Sequence, residues 1–220
     1  IESQVSANPE AGFSVVTYKG NATSGATVGH GLGVTPSIVI IKNRDSAVDW
    51  AVIPGDPVLF GGSFYLKLNI PSAKVANSNM YSTYPKSNVF YLSTNSSANG
   101  NTNSHVAYCF AEVEGYSKIG SYTGNGSANG PFVYTGFQPA FVMIKSLTNG
   151  TANWAMFDNK RSLDNPANDV LFANLTSAES VNNTATLTDL NSNGFKIRGT
   201  NTNINVNGQT YIYMAFAEQP

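Results

Sequence analysis

Charge is scarce in this chain. Twelve Lys and Arg residues and thirteen Asp and Glu residues make up 11% of 220 residues, with a formal net charge of −1. No basic surplus exists to neutralise phosphates or anionic lipid, so the composition argues against nucleic-acid partners and membrane-surface binding. Apolar runs are short; none approaches the ~20 residues that span a bilayer. One cysteine, Cys109, excludes an internal disulfide. It is expected to be a small buried strand residue, as free cysteine is among the most buried types; His105 stands four positions earlier on the same strand. At ~3.3 Å per residue that histidine is too distant to act as its base. Helical periodicity is also missing: no window of a dozen residues keeps apolar positions at i, i+3, i+4 and i+7 free of Gly, Pro or Asn.

What the chain has instead is Asn, Ser and Thr, 68 residues of the 220, a surface chemistry that gives solubility without ion pairs. Between these residues lie short β-branched or aromatic runs: FSVVTY, SIVIIKN, WAVI, FYLKL, VFYLS and HVAYCFAEV, then SKIGSYTG, AFVMIKS, WAMF, VLFAN, FKIRG and TYIYMAFAE. Such runs bounded by turn residues predict strands. SIVIIK and FVMIK are continuously apolar, as in a central strand covered on both faces. TYIYMAFAE alternates, with Tyr211, Tyr213, Ala215 and Ala217 on one face.

The two sets of runs match. Tyr18-Lys19-Gly20-Asn21 lies over Tyr122-Thr123-Gly124-Asn125, Pro36 over Pro139, Trp50-Ala51 over Trp154-Ala155, Phe90 over Phe195, and Phe110-Ala111-Glu112 over Phe216-Ala217-Glu218. The offset drifts only from 103 to 106. This reads as an internal duplication. The expected fold is all-β, two tandem antiparallel β-sandwich modules of jelly-roll-like type. Residues 1–11, which start with Ile, are expected to be a connector from a longer chain. Module 1 then covers 12–112, a short linker 113–116, and module 2 117–220.

The search for chemistry asks which polar residues recur. His30 is set over Val133 and His105 over Tyr211, so neither histidine is retained. GHGLGV lacks the Lys-Ser/Thr of a phosphate loop. Glu112 and Glu114, at i and i+2, have roughly the 6.5–7 Å separation of an inverting glycosidase pair. Glu218 is followed by Gln219, so that pair does not recur. Glu112 and Glu218 are read as strand-end carboxylates with Lys42 and Lys145 as partners. Asp45 and Asp49 offer too few oxygens for calcium. Trp50 and Trp154 are expected in the core. No catalytic residue, metal or cofactor is expected. The loops differ most between the copies, and aromatic residues in the loops of module 1 are the candidate receptor contacts: Phe60, Phe64, Tyr65, Tyr81 and Tyr84.

GFSVVTYKGNATSGATVGHGLGVTPSIVIIKNRDSAVDWAV, HVAYCFAEVEGYSKIGSYTGNGSANGPFVYTGFQPAFVMIK and YIYMAFAEQP resemble a repeated β-rich module of bacteriophage tail-fibre and related virion proteins, especially from marine and cyanobacterial phages. The resemblance covers Gly12 to Pro220 and carries no catalytic motif. It implies a virion protein, a homotrimer among other virion subunits, that attaches to host-surface glycan or protein. A structural virion component without receptor binding is the alternative. A polysaccharide depolymerase using Glu112 and Glu114 is a remote one.

Overall fold

Along FSVVTYK every second residue is buried, and along SHVAYCF the same alternation recurs. Side chains of a strand point to opposite faces with period two, so each run places one face on a core. In the computed structural model, which describes residues 1–219, these strands assemble two units. Unit 1 comprises Ile1–Leu68 and Lys74–Glu112; unit 2 comprises Asn69–Ala73 and Val113–Pro220. Pro220, the end of the expected second module, lies outside the described residues.

Unit 1 contains β1 (Ser3–Asn8), β2 (Phe13–Lys19), β3 (Thr27–Gly29), β4 (Ile38–Asn43), β5 (Ala51–Pro54), β6 (Phe64–Lys67), β7 (Val75–Ala76), β8 (Val89–Tyr91), a helical turn α1 (Ser96–Asn99) and β9 (Ser104–Phe110). The larger sheet runs β1-β2-β9-β4-β5-β6-β7, and β3 pairs with β8 in the smaller one. All ladders are antiparallel. One core joins both layers: Val16, Tyr18, Val39, Ile41, Ala107 and Cys109 from the larger sheet meet Val28 and Phe90 from the smaller. β4 is central, flanked by β9 and β5, and Ile38 to Ile41 are all buried.

Unit 2 contains β10 (Ser117–Thr123), β11 (Phe132–Tyr134), β12 (Phe141–Ser146), β13 (Ala155–Asp158), β14 (Leu171–Phe172), β15 (Thr188–Asn191), β16 (Gly194–Ile197) and β17 (Thr210–Phe216). The larger sheet runs β10-β17-β12-β13-β14 and the smaller β11-β16-β15. Tyr122, Val142, Ile144, Phe157, Tyr213 and Ala215 meet Val133, Leu190 and Phe195 across the core. Each unit is thus an antiparallel β-sandwich.

The shared Tyr-x-Gly-Asn string has a buried purpose in both units. Tyr18 donates its hydroxyl to Ala98 O at 2.6 Å and Tyr122 to Ile204 O at 2.7 Å. The next strand adds a parallel ring: His105 stacks on Tyr18 at 5.0 Å, Tyr211 on Tyr122 at 5.2 Å. Asn99 accepts from Asn21 N, and Asn205 from Asn125 N, each at 2.8 Å. The Asn99 amide donates to the Ser93, Thr23 and Asn21 oxygens; that of Asn205 donates to Gly199, Ser127 and Asn125. Glycine is required between them, since a Cβ on Gly20 would stand 2.2 Å from Gly100 O, and one on Gly124 2.4 Å from Val206 O.

Several expectations change. Within residues 1–11, the expected connector, Ser3–Asn8 form an edge strand in register with β2, from Ser3↔Tyr18 to Asn8↔Phe13. The alternating apolar signal is absent there because β1 is largely exposed. Residues 113–116 form a turn closed by a Val113↔Ser117 bridge. Asn69–Ala73, from the first half of the sequence, belong to unit 2, where Pro71 O accepts from Lys145 Nζ. Register places Val28 beside Phe90 as Val133 beside Phe195, so Val28, not His30, corresponds to Val133. Trp154 is buried as expected, whereas Trp50 is half-buried with its ring stacked on Tyr108 at 6.3 Å.

Candidate functional site

The five aromatic residues expected at loop tips do not project. Phe60, Tyr65 and Tyr81 are buried, and Phe64 and Tyr84 are half-buried. Tyr81 donates to Phe64 O at 3.0 Å and its ring packs on Tyr84 at 5.5 Å. Burial pushes the Tyr81 phenol up to about 12. Lys74 Nζ donates to Phe60 O at 2.7 Å and stands 4.1 Å over the Phe64 ring. The loops fold down because aromatic area gains more against the core than in water.

The other candidates are structural as well. Glu114 lies in the turn after Val113, so Glu112 and Glu114 do not stand at i and i+2 of one strand as the expected separation required. Asp45 Oδ2 accepts from Ser104 N at 2.6 Å, and the Ser104 backbone and hydroxyl hold its carboxyl below the ordinary range. Asp49 pairs with Lys67 at 2.8 Å. Burial pushes the Cys109 thiol up to about 12, which leaves it inert. Lys42 Nζ donates to Val48 O, and buried Lys145 Nζ to Ala152 O and Pro71 O. Glu218 pairs with Lys160, not Lys145, at 2.6 Å. Among the described residues no group of His, Cys, Asp and Glu could hold a metal ion.

The exposed aromatic surface lies in unit 2, on a strand. In β11, Val133 points into the core while Phe132 and Tyr134 face outward, 46% and 67% exposed. Residues two apart on a strand share a face at roughly 6.5–7 Å. Register supplies their neighbours: Phe132, Lys196 and Asp189 form one cross-strand row, Tyr134, Gly194 and Asn191 the next. Glycine is needed at 194 because a Cβ there would stand 2.1 Å from Val133 O, and it would also meet Phe132 Cζ at 3.0 Å. The hydroxyl end of Tyr134 lies beside Gly136, whose φ of 89° suits glycine. Arg198 approaches Asp189 at 3.6 Å. Two exposed rings on one face of a strand, with a carboxylate, an amide and two cations beside them, present apolar area and hydrogen-bonding groups together. The sequence signal for this face was the alternation Phe-Val-Tyr between Pro131 and Gly136. It lies on outward strand positions, outside the differing loops in which contact is expected from sequence.

One family model, described as a domain of unknown function (DUF7483), matches residues 1–220. Neither curated proteins nor solved structures give a match to the chain.

Proposed function

We propose that this chain, which belongs to the DUF7483 family, is a segment of a phage tail fibre or receptor-binding protein that attaches the particle to host-surface glycan. The observation that carries this reading is the outward aromatic pair Phe132 and Tyr134 on a rigid strand. A sugar offers one apolar C–H face and a ring of hydroxyls. Phe132 and Tyr134 suit the face; Asp189, Asn191 and Lys196 suit the hydroxyls. Tyrosine gives large contact area at low entropic cost, since only two side-chain torsions are fixed. Likeness to the phage module and the sparsely charged Asn/Ser/Thr composition agree with adhesion. In a trimeric fibre, weak sites gain ~10²–10⁴ in avidity.

The test is binding of the chain to intact bacterial cells and to purified surface polysaccharides. Phe132→Ala with Tyr134→Ala is expected to weaken binding at least tenfold, about 1.4 kcal/mol, with an unchanged melting temperature. Wild-type chain that adheres to no cells, or a double variant that adheres as well as wild type, overturns the reading. A second reading, a structural virion part, is favoured by one observation: Tyr65, Tyr81 and Tyr84, expected to be exposed contacts, pack against the core of unit 1. A reconstruction of the particle placing the segment away from any host-facing tip decides for it.

A further inference from the structure

We propose that a cleft of about 340 Å³ in unit 1 binds an anionic sugar, its carboxylate, sulfate or phosphate held between Lys19 and Arg44. The inference rests on the glycan-binding reading and adds a ligand class to it. Register builds the cleft. β1, β2, β9 and β4 are neighbours in the larger sheet, with Ser3 opposite Tyr18 and Lys19 opposite Ser104. Arg44 N donates to Ser104 O at 2.8 Å, so Arg44 follows on the next strand. Glu2, Lys19, Ser104 and Arg44 therefore form one cross-strand row, and Gln4 and Thr17 stand on the same face two positions along. Neighbouring strands are ~4.8 Å apart, which puts the backbones of Lys19 and Arg44 about 10 Å apart with Ser104 between them. Two long cationic side chains at that spacing close on one anionic group.

Three observations make this a site rather than a charged surface. Neither Lys19 nor Arg44 forms an ion pair among the described residues. The nearby carboxylate of Asp45 is already occupied by the Ser104 N–H and hydroxyl. Arg44 feels the Asp45 charge, but no hydrogen bond or ion pair ties up its guanidinium among the described residues, which leaves it able to make a bidentate contact with an oxyanion. Third, the same backbone position in unit 2 is uncharged: Leu147 N donates to Thr210 O at 2.9 Å as Arg44 N does to Ser104 O, and Thr123 stands where Lys19 does. The fold therefore does not require the two cations. Glu2, Gln4 and Thr17 complete a wall of hydroxyl-binding groups. The volume is at the small end of ligand cavities, room for one or two sugar rings.

The experiment titrates the full chain by NMR with four probes: galacturonate, galactose 6-sulfate, galactose 6-phosphate and neutral galactose. Expected is binding of at least one anionic probe, at millimolar affinity, with shifts at Lys19, Ser104 and Arg44, and at least tenfold weaker binding of galactose. The strongest of the three anionic arms identifies the anion. Arg44→Gln with Lys19→Gln abolishes the preference, Arg44→Lys retains part of it, and salt weakens it. Exposed cations leave the melting temperature unchanged. Equal response to galactose and all anionic probes, or a preference that survives the double variant, overturns the cleft. If the wild type adheres to cells while no anionic probe binds, the cleft fails and the attachment reading stands; absence of adhesion by the wild type overturns that reading instead.

Discussion

In unit 1 the ring stacked on Tyr18 is the imidazole of His105; in unit 2 the ring stacked on Tyr122 is the phenol of Tyr211. Both satisfy the same backbone amide, Gly100 N at 3.3 Å in one case and Val206 N at 2.8 Å in the other. The position demands a flat ring carrying an acceptor, and two chemistries meet the demand. Outward positions behave differently. Exposed Lys19 is replaced by exposed Thr123, and exposed Phe132 and Tyr134 by half-buried Thr27 and Gly29, while exposed Arg44 gives way to Leu147, which is buried. Residues that close the frame are constrained by burial and hydrogen bonding, whereas those beyond it are free to differ.

The largest effect that could break this comparison comes from the paired glycines. Gly20→Ala and Gly124→Ala each drive a methyl group against a carbonyl oxygen, and each is expected to cost about 3 kcal/mol in denaturant unfolding of its own unit. A loss confined to one of the two would mean the frames are not equivalent. Next come Asn99→Ala and Asn205→Ala. Each leaves a buried backbone N–H, of Asn21 or Asn125, without its acceptor, for about 1–3 kcal/mol.

Acid separates the units. Burial holds both histidines below 6.5, and each ring uses one nitrogen as donor and the other as acceptor: His30 between Lys86 O and Leu32 N, His105 between Asn103 O and Gly100 N. Protonation removes an acceptor. The unfolded chain takes up these protons first, so unit 1 loses stability as pH falls from 6.5 through the depressed folded values. Unit 2 holds neither of the two histidines. Burial pushes its Asp158 carboxyl up, but hydrogen bonds from Arg161 and Lys160 outweigh it and hold the group below 3.8. That contribution is lost only below pH 3.8. Unfolding followed from pH 7 to 5, above the range where Glu218 of unit 2 loses its contribution, should show unit 1 weakening alone, and His105→Tyr should shrink the step.

Alkali gives the smallest effect and the opposite asymmetry. Burial lowers Lys145 from 10.5 to about 8, so between pH 8 and 10 the unfolded chain holds more protons there and unit 2 gains stability. Burial raises Cys109 from 9.0 to about 12, so above pH 9 the folded chain holds more protons there and unit 1 loses stability. Separate melting of the two units at pH 8 and 10 checks the signs; Lys145→Met should cancel the gain.

The strands were legible because period-two burial is written in residue order, and Tyr-x-Gly-Asn announced itself by recurring. The turns are legible too: Gly33 and Gly136 each stand three residues before a proline at a strand start, and their φ values are 73° and 89°. Strand β1 was not, since an exposed edge strand carries no apolar period. The contact residues in the loops of unit 1 were misplaced for a related reason: aromatic residues in a variable loop look alike in sequence whether the loop projects or folds back.

Order along the chain decided the strands, their alternation and the two-unit plan, because neighbouring residues alone set which face a side chain takes. Only tertiary structure decided that Tyr81 turns inward while Tyr134 stays in water, and that Lys19 and Arg44 share one row. Those outcomes depend on which strands lie side by side, a relation between residues far apart in sequence.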